Sequence, residues 1–151
     1  MILPKKEEFL QEFKENPKKT LVAFCIMGGI FSEGIDLVRD KLIGVIVVGT
    51  GFPQVGTERE IIREYFDEKG MNGFDYAYRY PGMNKVLQAA GRVIRTSEDK
   101  GIIMLLDERF LNHEYELLFP REWNDKKNVN IKTAEKEIMD FWKRNCGLED
   151  V

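Results

Sequence analysis

The sequence predicts an α/β domain, a mostly parallel sheet flanked by helices. Three observations carry this. Apolar runs of strand length at 20–27, 42–49 and 102–106 lack the alternation of a half-exposed strand, which is how a strand covered on both faces reads. Between the last two runs, apolar residues recur at helical spacing over 57–69 and again over 81–95. Strands alternating with helices make βαβ units, whose strands pair in parallel. With 151 residues, 43% of them apolar and 32% charged, the chain is one domain large enough to bury a core.

Each element has its own signals. Residues 4–16 predict an amphipathic helix: Phe9, Leu10 and Phe13 share a face, Pro4 suits a helix start, and Asn16-Pro17 stops it. The first apolar run ends in Gly28-Gly29, which frees the backbone to turn. The loop 30–40 then lies at the carboxyl end of a parallel strand, where ligands bind in open α/β sheets. In it Ser32 offers a hydroxyl, Gly34 an unobstructed backbone, and Glu33 and Asp36 carboxylates that suit a sugar hydroxyl. The same residue types are ordinary in turns and caps, so both readings stand at this point. The second run closes at Thr50-Gly51-Phe52-Pro53. Ile61, Ile62, Tyr65 and Phe66 mark a helix over 57–69, with Gly70 as its C-cap.

Phe74, Tyr76, Tyr78 and Tyr80 alternate, and such rings either stack on nucleobases or pack internally. Tyr80-Pro81 breaks this piece, and Pro81 is placed to begin the next helix. The third run ends at Asp107-Glu108-Arg109, and 113–119 predicts a short helix. His113, the only histidine, has no second histidine or cysteine near it in sequence, which argues against a ligand role. After a polar linker over 124–132, Thr133 is the expected cap of a last helix. Its apolar face is Ile138, Phe141 and Trp142, and Gly147 ends it. Lys136 stands where a capping box would carry Glu or Gln.

The chain is organised around Gln88-Ala89-Ala90-Gly91-Arg92-Val93-Ile94-Arg95. On a helix, Gln88, Arg92 and Arg95 fall on one stripe, which Asn84 and Lys85 extend backwards. Met83, Val86, Leu87, Ala90, Val93 and Ile94 take the opposite side. No acid occurs from Tyr76 to Ser97, while Arg79, Lys85, Arg92 and Arg95 all do. Planar guanidinium forks in such a field suit a phosphate. A merely solvated helix face carries the same pattern.

This string resembles motif VI of superfamily 2 helicases, in the form used by the DinG/XPD family. Upstream, Gly29-Ile30-Phe31-Ser32-Glu33-Gly34-Ile35-Asp36-Leu37 resembles motif V of the same family. The resemblance covers about 20–123. It implies a RecA-like C-terminal motor domain, in partial form, over 1–123, with a linker and C-terminal helix over 124–151. It also implies a parent ATP-dependent DNA helicase moving 5′ to 3′ on single-stranded DNA. ATP with Mg²⁺ would be bound mainly by a first RecA-like motor domain of the same polypeptide. By the resemblance, Arg92 and Arg95 are the catalytic phosphate-facing pair, with Arg95 the finger. Gln88, Asp36 and Gly91 are the nucleotide-binding residues, and Ser32 and Gly29 contact DNA. Val38-Arg39-Asp40 departs from the family's proline-glycine turn, and the residues after Asn124 match nothing in it.

Other classes are narrowed by what the sequence lacks. No Gly-x-x-x-x-Gly-Lys-Ser/Thr loop or Asp-Glu-Ala-His-like box is present, so the chain by itself is expected to be inactive. Cys25 and Cys146 match no iron–sulfur ligands and read as free thiols of a cytoplasmic protein. The apolar runs are too short to span a membrane. A net charge of −3 means that any contact with nucleic acid must come from a local patch. With only three clear strands, an open sheet edge and self-association through it are expected. Two rival readings stay open: a nucleic-acid-binding module without ATP coupling, and an α/β interaction domain.

Overall fold

The structure, a computed structural model, describes residues 8–13, 19–29, 42–94 and 96–147. Strand β1 (Gly44–Val48) pairs in parallel with β2 (Ile102–Leu106), Gly44 opposite Ile102 and Val48 opposite Leu106. Between them run α1 (Thr57–Glu68), a π-helical turn (Asp75–Arg79) and α2 (Tyr80–Ala90). Beyond β2 come a 3₁₀ turn (Glu108–Leu111), α3 (His113–Glu116), a second 3₁₀ turn (Arg121–Trp123) and α4 (Ala134–Cys146). The core is Val47 of β1, Met83 and Val86 of α2, and Phe110 and Tyr115 after β2. The mixed helices and parallel pairing are those of a partial RecA-like α/β domain.

Two of the three expected strands form. Residues 20–26 make no sheet pairing among the described residues, and Phe24 is 95% exposed. An apolar run becomes a strand only when an edge takes its backbone groups, which no local pattern guarantees. Strand β1 is covered on one face: Val47 is buried, whereas Ile46 is 60% exposed and Val48 71%; β2 is half-buried along most of its length. Of the expected first helix, residues 8–11 are helical, with Phe9 and Phe13 in edge contact; the remainder of 4–16 lies mostly outside the described residues.

Helix α1 ends as its sequence predicts. Gly70 adopts φ +72°, its N–H meets the Asp67 carbonyl, and the Met71 N–H reaches the Phe66 carbonyl, a Schellman closure. The aromatic piece differs from the alternating reading. It is helical and runs unbroken into α2, so its rings point in several directions. Pro81 explains the π turn: its ring has no N–H and would collide with the carbonyl four residues back, and wider winding relieves both. Tyr76 stacks on Phe66 at 3.8 Å, Phe74 meets Phe52 edge-on, and the buried Tyr78 donates its hydroxyl hydrogen to Glu60. Internal packing uses these rings. The Thr133 hydroxyl turns back to Asn130 and does not cap α4, although Gly147 closes that helix at φ +62° as expected.

Helix α2 sits unusually close to the loop after β1. A Cβ on Gly82 would lie 2.5 Å from the Thr50 carbonyl oxygen and 3.0 Å from a Phe52 ring carbon. Gly82→Ala is therefore expected to cost about 2 kcal/mol through overpacking. In a thermal melt this should appear as a fall of roughly 4 °C or more.

Candidate phosphate-facing site

The strand exits meet the first turn of α2, whereas the turn after α2 lies at the other end of the sheet, beside the residues that lead into the strands. Strand β1 exits into Gly49, Thr50, Gly51 and Phe52, and the Gly49 N–H still bonds the Leu106 carbonyl at 3.2 Å. Strand β2 exits into Asp107, which caps the 3₁₀ turn by accepting from the Arg109 N–H at 2.9 Å. The Asp107 carboxylate also takes two bonds from the Arg109 guanidinium, at 2.8 and 2.7 Å. That guanidinium lies 5.0 Å from the centre of the Phe52 ring, so Arg109 ties the two strand exits together. In the sequence this pair reads only as a strand ending. An acid with an arginine two residues on, directly after a buried-type run, was the available signal.

Arg109 hydrogen bonds hold the Asp107 carboxyl below the usual carboxylate range, against the opposing effect of burial. A folded-state pKa that is depressed adds stability above the unfolded value, about 3.9, and loses it as pH falls through the folded value. Asp107→Asn should therefore lower the urea midpoint at pH 7. The gap to wild type should close as pH falls below about 4.

Helix α2 ends at Ala90, one turn before the sequence reading had it. Gly91 is a poor helix former, and the next bonds, Arg92 N–H to Ala89 and Val93 N–H to Ala90, are the tighter three-residue kind. Val93 is buried against Gly101 and Ile43, where a Cβ on Gly101 would lie 2.1 Å from its methyl. The turn is thus anchored to the start of β2. Gln88 faces solvent on α2, whereas Arg92 is half-buried in the turn with its Nε shielded. Arg95 lies outside the described residues, as do Ser32, Glu33, Gly34 and Asp36. Gly29 is described, and its N–H already bonds the Ile26 carbonyl at 3.0 Å, closing the turn that opens the motif V-like segment.

Arg79 leaves the basic patch. Its side chain is 12% exposed, pairs with Asp75 at 2.7 Å and with Glu114, and packs beside the rings of Phe74 and Tyr115. The acid-free stretch of sequence is not acid-free in space. Lys85 stays in the patch: its stem lies against Gly28 and Gly51.

Comparison with known proteins agrees with this layout. A model of the helicase C-terminal domain matches residues 4–126. The chain is 34% identical over 108 residues to ATP-dependent DNA helicase DinG of Photobacterium profundum, covering 70% of this chain and 16% of that protein. It is 32% identical over 130 residues to ATP-dependent DNA helicase chl-1 of Caenorhabditis elegans, covering 84% of this chain and 16% of that protein. It is also 32% identical over 112 residues to a regulator of telomere elongation helicase 1 homolog of Aedes aegypti, covering 70% and 11%. The chain thus spans under a fifth of the length of these relatives. It belongs to the helicase C-terminal domain family, in the form carried by superfamily 2 helicases of the DinG/XPD type.

Proposed function

We propose that this chain is the second wall of an ATP-driven motor on single-stranded DNA, its phosphate-facing residues presented from the end of α2. The observation that supports this best is the anchored turn after Ala90. Val93, pinned beside Gly101, fixes where Arg92 leaves the helix. The donor set fits a nucleotide's phosphates: two guanidiniums and an amide, Gln88, on a segment without acids. The nucleotide and its magnesium ion, held mainly by a first motor domain, supply the phosphoryl group. Arg92 and Arg95 face the charge that develops on it, Gln88 and Gly91 orient it, and Asp36 takes the ribose side. Ser32 and the Gly29 turn face the DNA backbone.

By itself this chain turns over no ATP, because it carries no phosphate-binding loop. Self-association through the sheet belongs to the same proposal, supported by exposed Ile46, Val48 and Leu106. The rival binding module is weakened by Arg79, whose charge is neutralised internally. Single-strand-stimulated ATP hydrolysis by the intact protein tests the reading. Salt-sensitive DNA binding with no nucleotide dependence would replace it with the binding module.

A further inference from the structure

Arg79, Lys85 and Arg109 are half-buried cations around the start of α2 and the strand exits. The two arginines are paired with carboxylates. Among the described residues no acid pairs with Lys85 and no hydrogen bond holds it. Its placement is nonetheless constrained. A Cβ on Gly28 would lie 3.4 Å from Lys85 Cε and 3.7 Å from Nζ, and one on Gly51 would lie 3.5 Å from Lys85 Cβ. The stem is therefore clasped between two glycine turns, both with positive φ, at +76° and +66°. A Cβ on either glycine would sit at ordinary contact distance from the lysine. Next to Gly51, Thr50 has a buried hydroxyl that likewise lacks a hydrogen-bond partner among the described residues.

A cation held partly out of water, with its stem fixed and no counter-charge, is poorly solvated and attracts an anion. We propose that Lys85 binds a phosphate group, and that this phosphate belongs to the backbone of single-stranded DNA passing the Gly28-Gly29 turn. The proposal rests on the motor-wall reading and adds to it a contact that lies outside both motif-like strings. Gly28 leads directly into the motif V-like segment, whereas Arg92 lies past the far end of α2. That placement favours the DNA backbone over the nucleotide.

The test uses the intact protein, a fluorescent 20-mer oligothymidine and ATP, comparing wild type with Lys85→Gln and Lys85→Arg. Affinity is measured across a salt series. Lys85→Gln should reduce the slope of log affinity against log salt by about 0.7, the value for one single-strand phosphate contact. Lys85→Arg should restore most of it. The melting temperature of Lys85→Gln should hold or rise, because an uncompensated charge has been removed; a merely structural lysine would lower it. An unchanged slope with a raised KM for ATP would keep the phosphate contact and assign it to the nucleotide. No change in slope or KM, with wild type active on both ligands, would overturn the Lys85 contact and leave the motor reading intact. Wild type that binds neither DNA nor ATP would overturn both.

Discussion

Arg95→Ala in the intact protein is expected to lower single-strand-stimulated ATP hydrolysis by about a thousandfold or more. The size follows from the timing of the interaction. A guanidinium aimed at a terminal phosphate meets charge that grows only as the phosphoryl group leaves, so its loss raises the barrier without much change in ground-state binding. The affinity for oligothymidine and the melting temperature should therefore stay near wild type while the rate collapses. Arg92→Ala should also slow turnover. Because Arg92 is half-buried in the turn that Val93 anchors, that change should cost stability as well. This makes Arg95 the cleaner probe. An unchanged rate for Arg95→Ala would make it a solvated surface residue and remove the finger from the proposal.

Arg79→Met carries the second large effect, and the readout is stability. Arg79 is 12% exposed and Asp75 14%, so removing the cation leaves a carboxylate largely out of water with no partner. Breaking a buried pair in this way costs about 3–5 kcal/mol, against a total of roughly 5–15 kcal/mol for a domain. Glu114, more than half exposed, contributes little, because water already screens it. The expected fall in melting temperature is about 10 °C. Adding Asp75→Leu to Arg79→Met should recover part of the loss, since the orphaned charge goes with it. If Arg79→Met instead melted like wild type and lost DNA affinity, Arg79 would return to the ligand-binding patch.

Local signals in the sequence carried much of the fold. The Gly70 and Gly147 closures, the two apolar runs that become β1 and β2, and the apolar face of α4 all follow from residue type and spacing. They are decided within a turn or two of chain, where glycine's freedom and apolar periodicity act directly. The pairing of 20–27 was not legible, because an extended run reads the same whether or not an edge receives it. Nor was the helicity of the aromatic piece. The π turn that accommodates Pro81 breaks the simple periods a sequence can be matched against.

The candidate site divides along the same line. Sequence alone determined the family, through two strings of adjacent residues whose order and chemistry are written in the chain. Only the tertiary structure decided which of the neighbouring cations keep their charge available. Arg79 is neutralised by Asp75 on its own helix and by Glu114 from beyond β2, while Lys85 is clasped between glycine turns from two different loops. Charge interactions fall with distance through space, and distance along the chain says little about them once the chain has folded.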